Sequence, residues 1–470
     1  MQYVICIMTI TVFTACSESD SNDSDLSGKT LKLQKMDLDG AKYLSLTGND
    51  TRATGDGEVG LFKIDEKGNM TTVVLTVTEE EDGTVKRTRT DIKVIPRNIY
   101  QLAGIYTFMQ DCSFTDGNGN DVYMKDYYEP DVWDFNILVR NSDGAIFYIP
   151  SSIMTYFQFE CLQSSVKDDK GNLYLSDQRN IGMITIQNGQ LVLKQVNPNN
   201  IDGGGQIFPF DNGTVMTFDP NSRYLDAIFF YPNGGFEEYK GYRETYENGT
   251  RVNIATLSFS KGKSGIKAVV VKEIEKENMN TEHIVSLCDF HVGSSYGSWS
   301  FSEPISSLSS GTDYSLNENQ PNYLDWVSKY HANTEWLQGV YETTNNYFIG
   351  STLVVDKHTL EMRPLVGTES YVIFPNEKNT YKGRAWVVGS WGANWYDIET
   401  MQYGRVEFTL PSDLYINKEE DNIPSGQLIL YGIRYSDGMS VTYFVNIETG
   451  EYVCTESNSE RPITALIPLN

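Results

Sequence analysis

Histidine is almost absent from the chain: four occur in 470 residues, at His283, His291, His331 and His358. They are scattered, and none stands near a serine or cysteine motif of the G-x-S-x-G kind, so nucleophilic hydrolase chemistry has no visible support. Positive charge is scarce too, with 37 Lys and Arg against 63 Asp and Glu, a net charge of −26. That surface repels nucleic acid, which is excluded as a partner. It equally opposes direct adsorption to anionic headgroups. Long Leu- or Ala-rich stretches are few, whereas 30 Tyr, 21 Phe and 39 Gly favour strands and tight turns over helices. Cysteine is sparse and irregularly spaced. Beyond the N-terminal region there are Cys112, Cys161, Cys288 and Cys454, which allow three disulfide pairings but suggest neither a stapled scaffold nor a zinc site. They read as buried or partly buried thiols acting as small apolar residues. Cys288 and His291 in SLCDFHV have a spacing that occurs in metal sites, yet no second pair lies nearby, so no metal is expected. No motif calls for a cofactor.

What is present begins at the N-terminus. Fifteen uncharged residues, MQYVICIMTITVFTA, lead to Cys16, after which the chain turns to SESDSNDSD. Tyr3 to Phe13 is mostly apolar, the length of a signal-peptide core and about half of the ~20 residues that span a bilayer. Phe13-Thr14-Ala15-Cys16 resembles the lipobox of bacterial lipoprotein precursors. In that family the thiol takes a diacylglyceryl group, and small residues such as Thr14 and Ala15 let the signal peptidase grip the backbone. Phe13 stands where the family usually has Leu, and no Lys or Arg precedes the apolar run. The alternative, an ordinary secretory signal cut near Ala15, leaves an exposed thiol in an oxidising compartment, a liability. Residues 1–15 are accordingly expected to be a lipoprotein signal peptide. With Cys16 acylated, two or three chains anchor the protein without spanning the membrane. Residues 16–30 then form a flexible acidic tether with nothing apolar to bury. Acidic residues directly after the lipidated cysteine are similar to the export signal of surface lipoproteins in Bacteroidetes-type bacteria, which implies the outer face of the outer membrane.

The remainder, residues 31–470, reads as a single all-β domain. Leu31 to Gln34 and Tyr43 to Leu46 alternate as strands do. Gly60 to Ile64, DEKGN and Met70 to Val77 have the form of a hairpin, because Gly supplies the positive backbone angle of a tight reversal. Val77 to Gly83 marks a second, acidic reversal, followed by strands through Ile92–Val94 and Ile105–Phe108. Phe135 to Arg140, NSDG and Ala145 to Tyr148 make a further hairpin, and DDKGN before Leu173 repeats the DEKGN turn. Met183 to Ile186 with Leu191 to Leu193, Thr214 to Phe218 with Ala227 to Tyr231, Ser351 to Val355 with Leu360 to Met362, and Thr442 to Ile447 with Glu451 to Val453 continue the grammar. One segment looks helical, Pro321 to Leu337, with Pro321 at the first helical position and Leu324, Val327 and Tyr330 on one face.

A long series of hairpins without helical crossovers excludes parallel α/β folds and leaves sandwiches, a solenoid or a propeller. The recurring unit of strand, Gly-containing turn and strand, undivided by a Pro- or Ser-rich linker, favours a β-propeller. About 440 residues serve six to eight four-stranded blades with one short helical insertion. The last strand, Ile463 to Ile467, is expected to pair near the first and close the ring. In LFKIDEKGN, LVRNSDGAIFYI and LVVDKHTLEMRPL the chain resembles propeller-like lipoproteins of Bacteroidetes, over most of its length.

Candidate chemistry is thin. Asp116 to Asp121 places oxygen side chains at alternate positions like a calcium loop, but Asp121 stands where that loop requires glycine and Tyr127 where it requires glutamate, so a hairpin tip is expected. Asp126, Glu129, Asp131 and Asp134 are carboxylates that a glycosidase could pair at ~5 to 9 Å, among many others. Aromatics give the one local concentration: Trp386, Trp391 and Trp395, with Tyr396, lie beside glycines. Trp391, Trp395 and Tyr396 are candidate ligand contacts, since flat apolar faces stack on sugars or on a partner's side chains. The competing expectation is that Trp386 packs between blades while Trp391 and Trp395 cover an edge.

Compartment and fold are better marked than catalysis, so non-catalytic binding of a glycan or of an outer-membrane protein ranks first. A glycan-cleaving enzyme on a propeller ranks second, and a structural or sensory subunit of a membrane assembly third. Cys16→Ser is expected to abolish membrane anchorage and to leave unprocessed precursor. Metabolic fatty-acid labelling checks this: label retained by the variant sinks the lipobox assignment.

Overall fold

The computed structural model describes residues 29–48, 60–81, 83–116, 135–198, 205–218, 227–239, 244–247, 250–275, 281–309, 339–350, 353–364, 375–457 and 462–469. Within these, short antiparallel strands joined by turns assemble eight sheets. The first contains Ala41–Thr47, Gly60–Asp65 and Met70–Thr72. Later sheets occupy residues 98–148, 164–195, 206–239, 244–309, 340–364, 380–406 and 414–457 in turn. The architecture is an all-β propeller, within the expected six to eight blades.

Each sheet is apolar on both faces because each is sandwiched between two others. In the second sheet, Met109 and Ile137 pack towards the first while Phe108 and Leu138 pack towards the third. Successive residues of a strand point to opposite faces, so a strand buried on both sides reads as a continuous apolar run such as Ile-Leu-Val at 137–139. The same division recurs around the ring. Phe348 and Val354 of the sixth sheet meet Ala385 of the seventh, Trp386 of the seventh meets Leu428 and Leu430 of the eighth, and Ile429 and Phe444 of the eighth meet Tyr43 and Ile64 of the first.

The circle is closed by Ile463–Pro468, which pairs with Ala41–Thr47 as Leu44↔Ile467 and Ser45↔Leu466 and so supplies the fourth strand of the first sheet. Closure pairs the edge of Ala41–Thr47 that would otherwise stay free and packs the last sheet on the first. Turn chemistry follows the sequence closely. In DEKGN, Asp65 Oδ1 accepts the Lys67 and Asn69 amides at 2.8 Å, and in DDKGN, Asp168 Oδ1 accepts those of Lys170 and Asn172 at 2.9 and 2.8 Å.

Three expectations are corrected. Met70 to Val77 is not one strand: Met70–Thr72 completes the hairpin with Gly60–Asp65, and Val74–Glu81 leaves it to pair with Thr84–Ile95. The switch occurs at Val73, whose amide still donates to Leu61 O at 2.9 Å. Val74–Glu81, Thr84–Ile95 and Lys29–Leu33 thereby extend the second sheet, through Val94↔Phe114. Secondly, the four thiols are free, but Cys161 is exposed, on the 3-10 turn Phe159–Cys161, rather than buried. Thirdly, a strand Asn98–Leu102 intervenes before Tyr106–Thr115, because the three residues 103–105 reverse the chain. Ala103 and Gly104 both take left-handed φ, 48° and 69°. The helix expected at 321–337 lies outside the described residues; the α-helix within them is Ser151–Tyr156.

The fifth and sixth sheets are also joined by a buried ionic network. Glu342, 7% exposed, accepts Lys357 Nζ at 2.7 Å and Ser264 Oγ at 2.8 Å. Lys267, itself buried, bonds Ser264 and Asp289, and the Tyr347 ring lies under both ammonium groups. Burial alone raises the Glu342 pKa, but the hydrogen bonds from Lys357 and Ser264 outweigh it and hold the carboxyl at about 2. The folded value lies below the ordinary 4.5, so this stabilisation is complete above about pH 4.5 and is lost as pH falls towards 2.

Two outcomes are expected. Glu342→Ala leaves Lys357 without its carboxylate and costs about 3 to 5 kcal/mol, and Glu342→Gln removes the part of the acid sensitivity that falls in this window; denaturant melts across pH measure both. Deleting Ile463–Asn470 opens the ring and should abolish the cooperative thermal transition, so an unchanged melting profile refutes closure as a condition of stability.

Candidate functional site

The aromatic segment lies in the seventh sheet, on Arg384–Gly389 and Gly392–Asp397. Trp386 is 1% exposed and donates Nε1–H to Tyr381 O at 3.2 Å, as a core tryptophan does. Trp395 pairs across the strands with Trp386 and packs on the same core, its outer face covered by the Arg384 guanidinium at 3.9 Å. Tyr396 points the opposite way, into the interface with the sixth sheet, 6.3 Å from the Phe348 ring. Trp391 stands on the connecting turn, 46% exposed, with the Arg405 guanidinium 5.8 Å above its ring. The three candidates therefore do not share a face: alternation along the strand sends Trp395 and Tyr396 to opposite sides. Trp391 alone offers a free aromatic surface.

Cys288 and His291 also diverge, the thiol buried and the imidazole exposed, because they are three residues apart on the strand Thr281–Val292. Burial pushes the Cys288 thiol up to about 11, which disfavours the thiolate. The described residues contain no group of three or more His, Cys, Asp or Glu placed to hold a metal ion. Gly117 to Asp121, Asp126, Glu129, Asp131 and Asp134 lie outside the described residues.

A concave site does exist, elsewhere: a cleft of about 460 Å³ between the second and third sheets. Three turns build it. The left-handed pair Ala103 and Gly104 brings Ile105 and Tyr106 to one wall. The NSDG turn places Arg140, Asn141 and Ser142 beside them, held by Arg140 N→Ala145 O and Gly144 N→Arg140 O, both 2.8 Å. Gly144, at φ +73°, is required there, since a Cβ would overlap the Met36 carbonyl. Across the cleft, the DDKGN turn presents Lys170 and Asn172, and Ile184, Thr185 and Ile186 form the floor with Leu469.

The polar groups differ in how they are engaged. Arg140 makes a fork with Asp143, Nε at 2.8 Å and Nη2 at 2.7 Å, which holds the Asp143 carboxyl below its usual range. Asp168 is consumed by its own turn. Tyr106 is 7% exposed, and burial raises its pKa, so it remains a neutral hydroxyl. Asn141 is 7% exposed, and its Oδ1 accepts Thr107 Oγ1–H at 2.7 Å; Thr107 alternates with Tyr106 and Phe108, so this amide lies on the face of the second sheet turned away from the cleft.

Nothing in the sequence pattern marks these residues. Asn141 and Lys170 sit in NSDG and DDKGN, whose composition is fully accounted for by turn formation, and the cleft arises from turns of two different sheets.

No family model matches the chain, and no curated protein matches it in sequence. Solved structures similar to it include AztD from Citrobacter koseri, at 11% identity over 91% of this chain and 96% of that one, TM-score 0.35. Virginiamycin B lyase from Staphylococcus aureus aligns at 9% identity over 86% and 95%, TM-score 0.29. A quinoprotein alcohol dehydrogenase-like protein from Bacteroides thetaiotaomicron aligns at 10% identity over 95% of both chains, TM-score 0.26. At such values the propeller assignment stands on the strand pairings themselves.

The tryptophans separate by experiment. Trp386→Ala should cost about 3 to 5 kcal/mol of stability, whereas Trp391→Ala should stay within about 0.5 kcal/mol. Chemical denaturation of both variants checks it, and a large loss at Trp391 would mean that its ring is structural.

Proposed function

We propose that the protein is a lipid-anchored protein of the cell envelope that binds a small polar ligand and catalyses no reaction on it. The cleft between the second and third sheets carries this reading. Its volume of about 460 Å³ falls within the range of small-molecule sites, and its walls combine apolar area with a few convergent polar groups. Ile105, Ile184, Ile186 and Leu469 suit the C–H face of a sugar ring, and Tyr106, Ser142, Lys170 and Asn172 suit its hydroxyls. Among the described residues the lining contains no carboxylate, histidine or cysteine, and Asp143 and Asp168 beside it are held by their own turns. A general acid–base pair is therefore missing at this place, which favours binding over glycan cleavage.

The anchoring half of the proposal rests on the N-terminal segment. Cys16 would carry the lipid, and residues 17–28 would tether the propeller to the outer membrane with the cleft facing outward, where a glycan or an outer-membrane protein is the partner; Lys29 and Thr30, expected in the tether, are instead paired in the strand Lys29–Leu33. Trp391, exposed and distant in sequence, is a second contact surface in that setting.

The expected outcome is that Ser142→Trp, which crowds the cleft from an exposed turn position, eliminates binding on a glycan panel without lowering the melting temperature, while Trp391→Ala retains at least part of it. Binding indifferent to Ser142→Trp would remove the cleft from the proposal, and release of reducing ends by the unmodified protein would replace the binder with the enzyme.

A further inference from the structure

We infer that the eighth sheet carries a separate sugar-binding surface, on which Tyr415 and Tyr435 form a platform for the C–H face of a neutral oligosaccharide and Asp413 accepts its hydroxyls. This surface is independent of the cleft. Tyr415 and Ile433 are direct partners across the strands Leu414–Asn422 and Gln427–Arg434 and so share a face, while Tyr435 opens the turn that follows. The two tyrosine rings lie 6.1 Å apart, inclined at 49°. Both residues are more than half exposed, and Ile433 beside them is exposed too. None of the three belongs to the cores on either side of this sheet. Single exposed apolar residues are ordinary, but three adjoining ones make a patch that a ligand can cover.

A polar group is fixed beside the rings. The Tyr435 amide donates to Asp413 O at 2.7 Å, and Ser436 Oγ–H donates to Asp413 Oδ2 at 2.9 Å, so the carboxylate is tied to the same turn. Its Oδ1 has no hydrogen-bond partner among the described residues. An ionised carboxylate only accepts, so the ligand must bring hydrogen-bond donors together with a flat apolar face for the rings. A pyranose offers both, hydroxyls around its rim and C–H bonds on its faces. A compact cation would be drawn to the same groups, but an aromatic cage must enclose its ion, whereas these two rings lie against each other and present an open surface. An acidic sugar is opposed by Asp413 and by the net charge of −26. The turn that carries Tyr435 follows the second strand of its sheet, as does the turn of Trp391, whereas the cleft turns at 103–105 and 168–172 follow first strands. Antiparallel strands reverse direction at each turn, so the platform stands at the end of the ring opposite the cleft.

An open surface covers one side of a sugar and binds it weakly, with a Kd of about 1 mM, too weak to survive the washing of a glycan panel. Titration calorimetry at high ligand concentration reads it, with the full chain in detergent and cellotetraose, maltotetraose, mannotetraose and pentalysine as probes. At least one of the neutral tetrasaccharides should bind. Tyr415→Ala and Tyr435→Ala should each weaken that binding at least about fivefold with unchanged melting temperatures, and Asp413→Asn, which keeps the size but puts a donor where an acceptor oxygen was, should weaken it too. Ser142→Trp should leave it intact. Binding lost in Ser142→Trp but untouched by Tyr435→Ala overturns the platform and leaves the cleft reading in place. Absence of heat with all three tetrasaccharides overturns the inference, and so does a signal from pentalysine alone that Tyr435→Ala removes, which would assign the surface to a cationic partner.

Discussion

Every sheet in this protein is apolar on both faces, and that single constraint dictates the rest. A sheet exposed on one side can end an array; a sheet that must be covered on both sides cannot. Phe108 and Met109, adjacent in sequence, serve different interfaces, as do Leu428 and Ile429. Only a ring gives all eight sheets two neighbours, so the pairing of Ile463–Pro468 with Ala41–Thr47 is where the hydrophobic pattern of the whole chain is satisfied. The cleft is a by-product of the same geometry. Sheets in a ring fan apart towards their turns, and between the second and third sheets the turns at 103–105, 140–145 and 168–172 line the space this leaves.

The fold was largely legible because its determinants are local. Turn residues at fixed offsets announce reversals: DEKGN and DDKGN form the same Asp-capped loop with the same three hydrogen bonds. Where the reading failed, the cause was competition between sheets that no local pattern encodes. Residues 70–77 alternate like one strand, yet the hydrogen-bonding partner changes at Val73. Cys161 looked like a core thiol because cysteine is usually buried, but it falls on a 3-10 turn whose buried residue is Phe159.

The site was legible far less. Aromatic clustering drew the eye to Trp391, Trp395 and Tyr396, and strand alternation separates them. The residues that build the cleft look ordinary, since Asn and Lys in turns need no special explanation. What makes them a cleft is a relation, the meeting of turns from two different sheets at 103–105, 140–145 and 168–172, and no spacing of letters reports it.

The two strands that close the ring have a further consequence, in time rather than space. Thr464 Oγ1 donates to Leu46 O across 418 positions of sequence, so the first sheet lacks its fourth strand until more than 400 later residues exist. At ribosomal speeds of ~5 to 20 residues per second, the wait is roughly 20 to 80 s. Throughout it the strand Ala41–Thr47 keeps one edge unpaired and apolar, open to any passing chain. A polypeptide arrested short of residue 463 never escapes that state, so the ring itself acts as a completeness check: only a chain translated through its closing strand can hide its edges from proteases and from other copies.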